Sequence, residues 1–279
     1  MSMFASMCTQ PQRLAEAIAP VRASLVAQPP VSRWGLGYVQ GGEVLLVRTP
    51  RPSKTPVDLY EAMSRIHSDC LIGQAVSDSR FSGTDNTPPF RFRRWMYAQT
   101  GMLEVTQELP ELAPRLLEQI PEYLRRNIKG RTCSELIFHL FLSMLHDEGN
   151  IDDPNLPPVA TRRALAATLR VVTVELEKLG RTGENAVVFG NVALSNGRSM
   201  VVAHPDPSSE PLRLRRLWVT NERGEPERGP DAFRGVLFVT ASDNGTNPPA
   251  NENGFEDVFS RHTVLVSRDL QVTLADLAP

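Results

Sequence analysis

Residues 68–101 read SDCLIGQAVSDSRFSGTDNTPPFRFRRWMYAQTG, two apolar runs, Cys70–Val76 and 92–99, around a polar link that contains Gly and Pro. Runs of this length, rich in β-branched and aromatic residues and bounded by turn residues, predict two buried strands. A long irregular connection inside a folded domain is usually functional or mobile. This stretch is therefore where a site, or the remains of one, is expected.

Working outward from it, MFASMC at residues 3–8 predicts a short buried strand almost at the N-terminus, which places Ser2 at the end of a sheet. Residues 10–25 carry apolar side chains at helical spacing, interrupted by Pro20. Residues 34–40 and 43–48 flank Gly41-Gly42, a strong hairpin signal. Residues 57–66 predict a short helix packing Leu59, Met63 and Ile66.

C-terminal to the opening stretch, residues 108–128 predict two helical pieces broken by prolines. Thr132-Cys133-Ser134-Glu135 has the form of a capping box, and the helix it opens is apolar nearly all round, hence buried on most faces. His139 in that helix has no second histidine or carboxylate at metal-binding spacing and reads as a hydrogen-bonded core residue. Residues 146–158 do not reproduce a calcium loop and read as a solvated connection. Pro157-Pro158 then start a long amphipathic helix with Leu165, Leu169, Val172, Leu176 and Leu179 on one stripe, stopped by Gly180.

The remainder predicts strands at 186–195 and 199–204 around Asn196-Gly197, then at 212–220, 235–242 and 263–267, with a polar loop over 243–256. Strands, helices and strands again, with no internal repeat and no linker, predict one layered α+β domain over residues 1–279, two sheets sandwiched by helices.

Composition narrows the function classes. With 30 basic and 32 acidic residues the chain lacks the charge of a nucleic-acid binder, and the clusters Arg91/Arg93/Arg94 and Arg213/Arg215/Arg216 read as solvated strand edges. No apolar run approaches the roughly 18 residues of a membrane helix. The start, MSMFASMCTQPQRL, has no basic segment before an apolar one, so no signal peptide is expected and a cytoplasmic location follows. Three cysteines without metal-type spacing predict reduced thiols. The absence of a Gly-rich Lys-Ser/Thr loop and of a metal constellation predicts no cofactor and no metal.

The order of motifs resembles the class II glutamine amidotransferases, N-terminal-nucleophile hydrolases, in particular their short stand-alone members. The resemblance runs through Trp34-Gly35-Leu36-Gly37-Tyr38, Ile72-Gly73-Gln74-Ala75-Val76, Asn86-Thr87-Pro88-Pro89-Phe90, residues 95–101, Thr132-Cys133-Ser134-Glu135 and, more weakly, residues 191–197. It covers nearly the whole chain, and the fold it implies is a four-layer α/β/β/α sandwich of two mainly antiparallel sheets.

The chemistry departs from the family pattern. Where the family has a cysteine exposed by removal of the initiator methionine, this chain has Ser2; a hydroxyl activated by an α-amine remains chemically possible. Where the family reads His-Val-Arg, with the arginine holding the glutamine carboxylate, this chain reads Gln74-Ala75-Val76, and valine offers no charge-assisted pair. The family's His-Asn-Gly, which supplies the oxyanion hole, is here Gln99-Thr100-Gly101, and the aspartate that binds the substrate amino group is Cys133. The resemblance thus implies Ser2 at the nucleophile position, Thr100 and Gly101 at the oxyanion hole, and Gln74, Val76, Cys133 and Trp34 at a degenerate substrate pocket. Cys8 sits inside a predicted strand with no free amine and does not serve as a replacement nucleophile.

The expectation is a pseudoenzyme that keeps the amidotransferase fold as a protein-binding or regulatory module with a protein partner, and neither nucleic acid nor membrane. The alternative is an amidohydrolase in which N-terminal Ser2 attacks a less charged small-molecule amide.

Overall fold

The computed structural model describes residues 1–101, 109–149, 151–182, 188–240 and 254–277. Six residues with neither glycine nor proline form β1 (Met3–Cys8), buried throughout. Pro20 lacks an amide proton, and regular helix gives way there: α1 (Leu14–Ile18) is flanked by 3-10 turns at Pro11–Arg13 and Ala19–Leu25. After β2 (Val26–Ala27), β3 (Arg33–Gln40) and β4 (Glu43–Thr49) pair with Gln40 opposite Glu43. Their turn places Gly41 and Gly42 at φ +61° and +84°, the two positive values that a tight hairpin requires. β5 (Val57–Asp58) pairs with β2, and Asp58 then caps α2 (Leu59–Ser64) by accepting the Glu61 N–H at 3.1 Å.

The first opening run forms β6 (Cys70–Val76), as the pattern predicts. The second run is not one strand. β7 (Phe90–Phe92) and β8 (Trp95–Gly101) pair across a two-residue turn at Arg93-Arg94, with Arg93 at φ +52°. An arginine in the left-handed region carries no turn signature in the sequence, which hides the break.

Among the described residues four helices follow: α3 (Leu112–Glu118), α4 (Glu122–Arg125), α5 (Cys133–Glu148) and α6 (Pro158–Lys178). Thr132 Oγ1 accepts the Glu135 N–H at 3.3 Å, half of the expected capping box. The Glu135 carboxylate reaches past the cap, accepting the Lys129 N–H at 3.0 Å and the Gly130 N–H at 2.6 Å, and so secures the loop that leads into α5. His139 sits in the core with Nδ1 2.9 Å from Glu135 O. The C-terminal part supplies β9 (Phe189–Ser195), β10 (Met200–His204), β11 (Leu212–Leu217), β12 (Gly235–Thr240), β13 (Glu256–Asp257), β14 (His262–Val266) and β15 (Val272–Asp276). Ser195 pairs with Met200, so the Asn196-Gly197 hairpin closes over four residues. Much of the polar loop predicted at 243–256 and the start of the strand predicted at 186 lie outside the described residues.

The strands form a seven-stranded sheet, β13-β11-β12-β1-β6-β3-β4, and a six-stranded sheet, β15-β14-β10-β9-β8-β7, antiparallel at every pairing described. Successive side chains point to opposite faces of a strand. Met3, Ala5, Met7, Cys70 and Ile72 accordingly meet Met96, Ala98, Ala193 and Val202 between the sheets. Phe4, Leu36 and Leu71 face outward onto Leu14, Ile18 and Met63 of α1 and α2. On the far side, Trp95, Tyr97, Leu194 and Val201 pack under Phe138, Phe141, Leu165 and Val172 of α5 and α6. The result is a four-layer α/β/β/α sandwich.

Because β6 and β8 belong to different sheets, the connection between them crosses the sandwich. Buried Arg33 holds it in place, donating Nε to Asn86 O at 2.9 Å and Nη1 to Asp78 O at 2.5 Å and Phe81 O at 2.8 Å. Cys8, Cys70 and Cys133 are free and buried. No described helix is long and apolar enough to cross a membrane.

Candidate functional site

β1 begins one residue after Ser2, and sheet pairing fixes that residue: the Ala75 N–H donates to Ser2 O at 2.8 Å. The N–H groups of Ser2 and Met3 converge on Thr240 Oγ1 at 3.1 and 2.9 Å. Ser2 Oγ lies 2.9 Å from the same threonine oxygen and hydrogen-bonds the Glu210 carboxylate. Glu210 is positioned from behind by Asn191 of β9, whose Nδ2 donates to Glu210 O at 2.7 Å. Asn191 N–H donates to Thr100 Oγ1 at 2.9 Å, and its Oδ1 lies 2.7 Å from His204 Nδ1. Oδ1 is an acceptor, so the neutral His204 ring carries its proton on Nδ1. A cavity of about 230 Å³ opens beside this network, lined by Met1, Ser2, Ala75, Val76 and Glu210 and by residues 28–31.

A serine hydroxyl on a carboxylate can pass its proton to that carboxylate during attack on a carbonyl. Glu210, Asn191 and Thr240 were not visible as site residues in the sequence. Glu210 and Thr240 stand 208 and 238 residues from Ser2, the first just before β11 and the second at the end of β12, the strand that pairs with β1.

The positions singled out by resemblance are dispersed. Ser2 and Val76 share the cavity. Thr100 joins them through Asn191 and Glu210. Gln74 is buried and spans the two sheets, with Nε2 donating to Gln99 O at 2.6 Å while its Oε1 is buried without a partner. Gly101, at φ +68°, ends β8 beside a register shift. Cys133 begins α5 with 0% exposure, on the helix side of the six-stranded sheet, and burial pushes its thiol pKa up to about 12. Trp34 packs on the outer face of the seven-stranded sheet, among the contacts of α1 and α2.

Two histidines give this architecture a pH signature. Burial lowers the pKa of His204, against the opposing pull of Asp206, and burial lowers that of His139, against its bond to the Glu135 carbonyl. Both rings bind protons more weakly in the folded chain than in the unfolded chain. Stability is therefore expected to fall as the pH drops through the ordinary histidine value of about 6.5 and to keep falling until the depressed folded values are reached. Melting temperatures measured between pH 8 and 5 test this, and His139→Gln should flatten the slope.

Solved structures match along the chain, among them the following two. A glutamine aminotransferase class-II domain protein from Silicibacter pomeroyi has a TM-score of 0.58 at 17% identity, covering 99% of this chain and 100% of that one. Glutamine phosphoribosylpyrophosphate amidotransferase from B. subtilis, complexed with ADP and GMP, has a TM-score of 0.57 at 12% identity, covering 100% of this chain but 49% of that one. The chain thus spans about half the length of the second protein. No sequence-family model and no curated protein matches the chain. At these identities the likeness is one of fold, and the fold is that of the class II glutamine amidotransferase domains, the N-terminal-nucleophile hydrolase sandwich.

Proposed function

We propose that this chain is a class II glutamine amidotransferase-like protein that does not hydrolyse glutamine and serves as a protein-binding or regulatory module. The observation that carries the reading is Gln74. Its amide bridges to the Gln99 carbonyl across the space between the two strands that would frame a glutamine pocket. Three other features support it. Val76 presents no cation to a substrate carboxylate, Cys133 is shut away in the core, and Thr100 offers a hydroxyl, whose oxygen accepts the Asn191 N–H, where the resemblance implies an asparagine amide. Removing one oxyanion donor costs about 100- to 1,000-fold in rate, so the loss of donor and anchors together leaves no useful glutaminase activity.

The hydrogen bond from Ser2 Oγ to Glu210 favours one second reading, an amidohydrolase for a neutral amide. Ser2 Oγ would attack the carbonyl carbon, with Glu210 or, after loss of Met1, the Ser2 α-amine taking the proton and returning it to the departing amine. Water would then cleave the ester. Intact mass establishes whether Met1 is removed. Ammonia release from glutamine and from a panel of neutral amides is then compared with Ser2→Ala. Equal background rates are expected for both proteins. Release that depends on Ser2 would replace the first reading by the second. Size-exclusion at native levels checks the module reading, and a chain that always elutes alone weighs against it.

A further inference from the structure

The Cys8 end of β1 lies about 20 Å along the strand from Ser2. There the Gly41-Gly42 turn of one sheet meets the Asn196 to Ser199 loop of the other, so closely that a Cβ on Gly197 would lie 2.8 Å from Val39 Cγ2. Between them is a cavity of about 400 Å³. Arg94, Arg198, Arg268 and His67 line it, against one carboxylate among the described residues, Asp69. Partial burial raises the pKa of that carboxyl, with Arg268 opposing, and one acid stands against three arginines.

Arg94 carries the argument. The sequence groups it with Arg91 and Arg93, but the β7–β8 turn sends it elsewhere. Arg91 Nη1 donates to Val44 O at 2.5 Å and Arg93 pairs with Asp152, whereas Arg94 Nη1 is buried with no hydrogen-bond partner. That nitrogen is shut off from the cavity as well as from solvent, so what Arg94 brings to an anion in the cavity is a fixed positive charge in its wall. Arg198 donates Nη1 to Asn155 Oδ1 at 3.1 Å and keeps further N–H groups for a ligand. Arg268 is exposed at the rim.

A carboxylate can occupy one guanidinium fork or share two, while a phosphate has three terminal oxygens and more charge to distribute over three. The volume falls in the range of small-molecule sites. We infer that this cavity binds the phosphate group of a small molecule between Arg94, Arg198 and Arg268. The site is separate from the Ser2 cavity and stands whichever reading of that cavity holds.

The test is calorimetric titration of the full chain with inorganic phosphate, pyrophosphate and AMP, at low and high salt. Saturable binding of at least one probe is expected, weakening with salt. Arg198→Gln and Arg268→Gln should each weaken it about tenfold or more, the consequence of losing one charge-assisted contact. Arg91→Gln, whose guanidinium donates to Val44 O and does not line this cavity, should leave it unchanged. Comparison of inorganic phosphate with AMP separates recognition of the free ion from that of an organic phosphate. Ligand-free melts of the Arg268→Gln protein confirm that it folds. Absence of saturable binding by all three probes, or equal affinity in Arg198→Gln and Arg268→Gln, overturns the inference.

Discussion

Gly190→Ala is expected to leave little folded protein. Gly190 lies in β9 directly against β8, and a Cβ there would sit 1.5 Å from Thr100 O and 2.2 Å from the Thr100 carbonyl carbon. Both are backbone atoms, so no rotamer change relieves the clash. β8 would have to leave β9 beside the register shift at Gln99 and Gly101, in the middle of the six-stranded sheet. Displacement on that scale belongs with the most damaging substitutions, on the order of 4 kcal/mol or more. Domains of this kind have only about 5–15 kcal/mol in total. Gly224→Ala is the control: Gly224 has φ +74° with nothing within 4 Å of the added atom. It should cost only the left-handed strain of about 1–2 kcal/mol. Denaturation midpoints and soluble yield compare the two, and equal midpoints would mean that the close approach of Thr100 to β9 is absent. The same approach delivers the Thr100 hydroxyl oxygen to the Asn191 N–H.

Cys133→Asp, which restores the residue that the amidotransferase resemblance implies, is expected to destabilise the chain by on the order of 3 kcal/mol at neutral pH, because the new charge has no partner and no water. Cys133 has 0% exposure and lies in the core at the start of α5 with Tyr97 and Phe138. The helix N-terminus would favour an anion there, but typically by only about 0.3–1 kcal/mol, less than the cost of burying it. Burial would raise the pKa of the introduced carboxyl, so its folded form holds a proton more tightly than the unfolded form. Stability relative to wild type is then best below the ordinary aspartate value and is lost as the pH rises through the raised folded value. Denaturant melts of variant and wild type at pH 4 and pH 7 should show the larger deficit at pH 7. An unchanged midpoint at pH 7 would mean that position 133 is solvated, and the proposal that the chain does not hydrolyse glutamine would lose that support.

Much of the architecture is legible locally. The span of β6 at Cys70–Val76, the Gly41-Gly42 hairpin, the α5 segment that is apolar all round and the stripe of α6 each express a backbone preference over a few neighbouring residues. The Arg93-Arg94 turn escaped because its positive φ falls on arginine, a residue that does not advertise it. Two-residue strands such as β2, β5 and β13 are too short to carry a periodic signal.

The site was legible only as a set of altered positions. The resemblance marked Ser2, Val76, Thr100 and Cys133 as positions without the charges and amides that it implies there, since residue type alone determines whether a side chain can be an anion, a cation or an amide donor. Tertiary structure decided everything that depends on meeting across the sandwich. It set Glu210 and Thr240 on Ser2 from more than 200 residues away, carried the Gln74 amide to the opposite sheet, and turned Arg94 away from Arg91 and Arg93 into a separate cavity. Periodicity specifies which face of a strand each side chain occupies. Which strand lies beside it, and which sheet faces it, is fixed by global packing of three apolar layers that no local stretch encodes.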